Sequence, residues 1–216
     1  MSSLVLDPPF GLERQSYAPR RQLRGLMNAD GWGVGLYAED QAAPVRWRSA
    51  KPLWGDASFA SVAPVLRSRA VLAAVRSASA GMPMDESAAA PFTDGRWLLS
   101  HNGRVSTSVL PARHDAESVC DSAQLAVHVF SEGPERVADT IREVAAADPE
   151  AYLSVLLTDG SRVTAVAWGD PVSYLVAQDG VVVASEPYDD DPRWIDVPDR
   201  HLVEVTSAGV GVTSLG

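Results

Sequence analysis

The run Tyr152-Leu153-Ser154-Val155-Leu156-Leu157, Arg162-Val163-Thr164-Ala165-Val166-Ala167-Trp168, Val172-Ser173-Tyr174-Leu175-Val176-Ala177 and Val181-Val182-Val183-Ala184 decides the fold class. Each piece is short, apolar and rich in β-branched residues. The pieces are separated by Asp159-Gly160, Gly169-Asp170-Pro171 and Asp179-Gly180, which read as hairpin signals. Residues 201–205 repeat the strand pattern. Consecutive antiparallel strands therefore fill the second half. Upstream, residues 121–130 read as a helix capped by Asp121 or Ser122 and stopped by Gly133. Val137, Ile141 and Val144 give residues 134–147 helical spacing, with Pro134 suited to a first turn.

The first half mixes both patterns. Residues 33–37, 45–48 and 97–100 are strand-like, and 70–75 is a continuous apolar run that suits a strand buried on both faces. Phe59, Val62, Ala63 and Leu66 predict a helix over 58–67, capped by Asp56 or Ser58. No repeat, linker or low-complexity tract interrupts the 216 residues, so one α+β domain over 1–216 is expected, with two antiparallel sheets flanked by helices.

Composition narrows the function classes. With 46% hydrophobic and 21% charged residues, the chain can build a core without disulfides, and its one cysteine, Cys120, allows none internally. The formal net charge of -10 argues against nucleic acid and against an anionic membrane surface. No run reaches membrane-span length, and residues 1–9 lack a signal-peptide pattern, so a cytoplasmic protein is expected. His101, His114, His128 and His201 have no metal-ligand spacing, so neither metal nor cofactor is inferred. Oligomeric state is not legible. Six tryptophans are many for this length, and most suit core or pocket wall. Glu186 and the Asp189–Asp191 run read as an acidic stretch, ordinarily a solvated loop.

Four constellations carry chemistry. Asn28-Ala29-Asp30-Gly31-Trp32-Gly33-Val34-Gly35 leads a glycine-rich turn into a strand, and can bring polar groups to a pocket rim or simply turn the chain. Arg76 follows the apolar run 70–75; it is either a fork for a carboxylate or a surface arginine past a strand end. Asn102-Gly103 can form an oxyanion hole, with the glycine leaving room for substrate, or a hairpin turn. Asp121 can receive an ammonium group or cap a helix.

The order of these groups resembles the class II glutamine amidotransferases. The resemblance implies an N-terminal-nucleophile hydrolase fold, a four-layer αββα sandwich of two antiparallel sheets. It puts the γ-glutamyl α-carboxylate on Arg76, the α-amino group on Asp121, the oxyanion on Asn102 and Gly103, and Ser79 beside the same pocket. Ser16-Tyr17-Ala18-Pro19-Arg20-Arg21, Lys51-Pro52-Leu53-Trp54-Gly55-Asp56 and Ala184-Ser185-Glu186-Pro187-Tyr188 are similar to the ergothioneine-biosynthesis amidohydrolase branch of actinobacteria. So is Leu26-Met27-Asn28-Ala29-Asp30-Gly31-Trp32-Gly33. That branch implies removal of glutamate from γ-glutamyl-hercynylcysteine S-oxide, a small-molecule partner and no second synthase domain. The resemblance also implies that one or two tryptophans, or Glu186 and the Asp189–Asp191 run, could face the substrate's trimethylammonium.

One departure matters. In the resembling family a cysteine directly after the initiator methionine is the nucleophile and its freed α-amino group the base. Here Met1-Ser2-Ser3 stands at the start, and the pattern lacks the family's first strand. A shortened reading of a longer gene, a replacement nucleophile at Ser2, and a noncatalytic γ-glutamyl-binding protein or assembly partner are the competing readings. Ser2 runs straight into Leu4-Val5-Leu6-Asp7-Pro8-Pro9, leaving no strand to hold it beside Asn102. Cys120 adjoins the Asp121 carboxylate, which disfavours a thiolate, and suits a small filler. The chain as written is therefore expected to be inactive and short of one strand's stabilisation.

Overall fold

The computed structural model describes residues 5–22, 27–38, 41, 43–79 and 81–216. Ser2, Leu26 and Ala80 lie outside these. Twelve strands in three antiparallel sheets form among the described residues.

The six-stranded sheet is the platform. Its strands are β4 (Phe92–Thr93), β5 (Leu98–Arg104), β6 (Tyr152–Thr158), β7 (Val163–Ala167), β11 (His201–Thr206) and β12 (Gly209–Ser214), in the order β12-β11-β7-β6-β5-β4. Strand alternation gives it two different faces. Leu99, Leu153, Val155, Leu157 and Val166 point to one side, where they pack with Leu125 and Val129 of helix α3 (Asp121–Glu132) and with Ile141 and Val144 of helix α4 (Val137–Ala147). Leu98, Leu156, Ala165 and Ala167 belong to clusters on the opposite side.

Two smaller sheets pack against that opposite side. The first has the order β2-β1-β3, with β1 (Trp32–Leu36) between β2 (Val45–Ser49) and β3 (Val71–Val75). It meets the platform where Leu72 and Tyr37 pack on Leu98. Helix α1 (Leu12–Tyr17) and helix α2 (Ala57–Val62) contribute Leu12 and Phe59 to a cluster with Trp32, Val34 and Leu36. The second small sheet has the order β10-β8-β9, made of β8 (Val172–Ala177), β9 (Gly180–Ala184) and β10 (Ile195–Val197). Val172, Val183 and Val197 pack it onto Ala165, Ala167 and Val203.

Close approach explains the glycines of β1. A Cβ on Gly33 would lie 2.2 Å from the Ala90 carbonyl oxygen, so only hydrogen fits there.

Several sequence expectations are corrected. Asn102-Gly103 is not a turn: β5 continues to Arg104, with Asn102 opposite Ser154 and Gly103 opposite Leu153. Gly169-Asp170-Pro171 is not a hairpin, because β7 and β8 belong to different sheets; Pro171 lacks a ladder donor, and the turn carries the chain from the platform to the small sheet. The helix expected over 58–67 is α-helical only to Val62 and tightens to a 3-10 turn over Ala63–Val65, where Pro64 removes a donor. Asp56 caps it as expected, accepting from Phe59 N at 3.2 Å. In β3 only Leu72 is buried, so the 70–75 run is not covered on both faces. β12, a glycine-bearing and largely exposed strand, and the three-residue β10 carried too little pattern to be read.

Candidate active site

Two cavities meet over the exposed end of β5. The one of about 450 Å³ is lined by Arg76, Ser79, Asn102, Gly103 and Asp121. Every site residue anticipated from sequence thus lines a single hollow. The other, of about 260 Å³, runs between β3 and β9 with Ser100, Asn102, Ser154 and Leu156 beneath it. Gln22, Asn28, Val75, His101 and Asn102 line both, so the hollows are continuous at Asn102.

Arg76 is held by the glycine-rich turn before β1. Its backbone N–H donates to Gly31 O at 2.9 Å, and its carbonyl accepts from Asp30 N at 2.9 Å. Its Nη1 donates to Asp30 O at 3.2 Å. The Asp30 carboxylate also accepts from Ala78 N at 2.7 Å, which fixes the turn after β3. One guanidinium edge is therefore anchored and the rest of the fork remains for an anion. Asn28, from the same glycine-rich stretch, donates to Gln15 O and Gln22 Oε1, each at 3.1 Å. The first constellation thus both turns the chain and sets the pocket rim.

Asn102 is exposed, and its side chain makes no hydrogen bond with the described residues. It is free to donate into the cavity, as an oxyanion donor must. Gly103 has φ +151°, and a Cβ there would stand 2.0 Å from Tyr152 O and 2.8 Å from His101 Nε2. The glycine is required by its own neighbours, whatever room a substrate takes.

Asp121 is the first residue of α3, and Cys120 is its N-cap without a side-chain cap bond. Asp121 Oδ1 accepts from Ser122 N at 2.9 Å and Oδ2 from Val105 N at 3.1 Å. A carboxylate has about four acceptor positions, so two remain for an ammonium group. Behind it, Glu117 accepts from Arg46 and Arg48 of β2 and, at 3.1 Å, from Thr93 N. Burial and the neighbouring Arg46 pull the Arg48 pKa below its usual value, against the opposing pull of Glu117. Glu117 therefore clamps the segment before α3 to two strands.

Cys120 is 2% exposed; it packs in the core and also lines the larger hollow next to Asp121. Among the described residues no tryptophan lines either cavity; the aromatic walls are Tyr152, Phe92 and Tyr188. Glu186 lines the smaller hollow, where it accepts from Arg20 N and Arg21 N, each at 2.7 Å. The acidic run builds a surface turn: Asp189 accepts from Trp194 Nε1 at 2.7 Å, and Asp191 pairs with Arg193. The Arg193 hydrogen bond is the main cause that draws the Asp191 pKa down to about 2.

Sequence reading did not reach Glu117, and it had Asp30 only as part of the glycine-rich stretch, Ser122 only as a helix cap and His101 only as a histidine without metal-ligand spacing. Each supports another residue rather than facing the cavity alone, and no spacing rule marks such a role.

Residues 3–177 match the family described as glutamine amidotransferases class-II. Over the whole chain, a gamma-glutamyl-hercynylcysteine sulfoxide hydrolase of Mycobacterium tuberculosis is 65% identical, with 91% of its length covered. A protein of the same name from Mycolicibacterium smegmatis is 62% identical, with 94% covered. Among solved structures, a glutamine aminotransferase class-II domain protein from Silicibacter pomeroyi superposes with TM-score 0.67 at 22% identity, over 85% of this chain and 90% of that one. Glutamine phosphoribosylpyrophosphate amidotransferase from B. subtilis gives TM-score 0.66 at 13% identity, over 87% of this chain and 43% of that one. These two show likeness of fold.

Proposed function

Because the chain belongs to the class II glutamine amidotransferases, we propose that it is the body of a γ-glutamyl amide hydrolase acting on γ-glutamyl-hercynylcysteine S-oxide. The observation that carries this reading is the convergence of Arg76, Asn102, Gly103 and Asp121 on one cavity. A γ-glutamyl group has an α-carboxylate, an α-ammonium and, three carbons away, an amide carbonyl. Arg76 takes the first and Asp121 the second. Asn102 Nδ2–H and Gly103 N–H take the oxygen that becomes negative when the carbonyl is attacked. Ser79 adds a polar wall beside the carboxylate.

The nucleophile belongs in the slot between β3 and β9. Among the described residues both strands are sheet edges there, β3 paired only with β1 and β9 only with β8. Their slot-facing backbone groups call for an extended segment. Such a strand would join the small sheets into one, in the order β2-β1-β3, inserted strand, β9-β8-β10. One continuous sheet on the platform, with helices outside both, is the four-layer αββα sandwich of N-terminal-nucleophile hydrolases within a single domain. A strand that ends where the hollows meet would present its first residue to Asn102. A cysteine there would attack with its own α-amine as base, and water would then release glutamate. The sequence has one cysteine, and it is buried, so these 216 residues bind the γ-glutamyl group and depend on the inserted strand to cleave it.

The test is glutamate release from γ-glutamyl-hercynylcysteine S-oxide and from L-glutamine. The 216-residue chain and a form extended by a cysteine-headed strand are compared. The extended form should release glutamate, with preference for the S-oxide, and the 216-residue chain should not. Turnover by the 216-residue chain alone would sink the slot reading; no turnover by either, with L-glutamate still bound, would favour a noncatalytic binder.

A further inference from the structure

His101 has no part in the reaction as drawn, yet it lies between the residues that do. On β5 it sits one residue before Asn102 and points to the opposite side of the platform, towards α3. Its Nε2 is 2.8 Å from Tyr152 O. A carbonyl oxygen carries no proton, so Nε2 is the donor. In the neutral ring Nδ1 then bears the lone pair and accepts from Ser122 Oγ–H at 2.9 Å. The chain of hydrogen bonds has one direction, from Ser122 through the ring to the β6 backbone.

Ser122 is bonded to Asp121 through N–H to Oδ1 at 2.9 Å. Asp121 also accepts from Val105 N, just beyond the end of β5. The first turn of α3 is therefore fastened to β5 on both sides of Gly103. The imidazole occupies the space a side chain at Gly103 would need, as the 2.8 Å approach to His101 Nε2 shows.

We infer that His101 and Ser122 are positioning residues that set the placement of Asp121 relative to Asn102 and Gly103, and so select ligands bearing an α-amino group. This rests on the reading of Asp121 as the ammonium partner. A rigid bridge matters because a displacement of about 1 Å is enough to lose a charged hydrogen bond's geometry.

Calorimetric binding of L-glutamate and of glutarate, which lacks the α-amino group, tests this on the 216-residue chain. The wild type should prefer L-glutamate. S122A should weaken L-glutamate roughly tenfold and leave glutarate unchanged, since one charge-assisted contact is misplaced. S122T, which keeps the hydroxyl, should restore the preference. H101Q, which reaches Tyr152 O but offers nothing at the Nδ1 position, should behave like S122A. Thermal melts identify a variant that fails to fold, and S122A, which removes only an oxygen, carries the test if H101Q does not fold. Equal weakening of both ligands, or an unchanged preference in S122A, overturns the inference. A wild type that binds both equally, or neither, overturns the Asp121 reading and the inference with it.

Discussion

Glu117 faces Arg46 with both carboxylate oxygens, 2.7 and 2.9 Å from one guanidinium nitrogen, while Arg48 stands 2.9 Å from the same carboxylate. Two like charges on alternate positions of β2 are tolerated because one anion lies between them. E117A leaves both cations without it. The three side chains are 15 to 24% exposed, so the loss should fall below that for a fully buried pair, roughly 2–3 kcal/mol. A fall in melting temperature, with weaker L-glutamate binding as the Asp121 segment loosens, checks it. An unchanged melt would remove Glu117 from the account.

His128 should make stability depend on acid. It is 8% exposed, and its Nδ1 has no hydrogen-bond partner among the described residues. Burial is the main cause that lowers its pKa from 6.5; Arg113 lowers it further, and Glu132 and Glu143 oppose. The unfolded chain therefore takes up this proton first as pH falls. Stability is complete above about 6.5 and declines below it. H128L should flatten that decline, so melting temperatures at pH 7.5 and 5 should lie closer together than in the wild type.

The grip on Arg76 gives a graded series. R76A should weaken L-glutamate by about 2–3 kcal/mol, roughly thirty- to a hundredfold in Kd, the worth of a charge-assisted fork. R76K should recover only part, because an ammonium cannot present two parallel donors. D30N, which disturbs the Asp30 contact to Ala78 N, should lie between R76K and the wild type. Titration calorimetry orders the three, and a D30N protein that binds as tightly as wild type would show that Asp30 does not set the fork.

Gly103→Ala should be poorly tolerated. The added carbon meets Tyr152 O at 2.0 Å on a backbone at φ +151°. Moving β6 or breaking the His101 bond costs on the order of 3 kcal/mol. A lowered denaturant midpoint is the expected result.

The slot predicts an exchange pattern. Amides of β3 and β9 that face it should exchange with deuterium faster than those of β1 and β8. They should slow when a strand is supplied, and the melting temperature should rise. Equal exchange with and without that strand would leave the slot without a role.

What could be read in advance follows from how locally each feature is encoded. β6 to β9 announce themselves because β-branched runs and Asp-Gly turns are local signals. The sheet change at Gly169-Asp170-Pro171 was hidden, since a turn and a crossover share the same letters until pairing is known. Arg76, Asn102, Gly103 and Asp121 were legible through the family pattern. Asp30, His101 and Glu117 were not, because their work depends on contacts 21 to 71 residues away in sequence, as His101 with Ser122 and Glu117 with Arg46 show. The steric need for a glycine at 103 was hidden for the same reason: the atoms that exclude a side chain belong to Tyr152, on a strand not yet placed.

Two edge strands that face one another also bear on how the molecule survives in a crowded solution. Edge strands left unpaired display rows of main-chain donors and acceptors, and such rows zip with any apolar extended segment, the β3 or β9 of another copy included. An unfilled slot would thus be a route to precipitation that grows steeper with concentration. The strand that arms the pocket would close that route, so competence for chemistry and resistance to self-association arrive together.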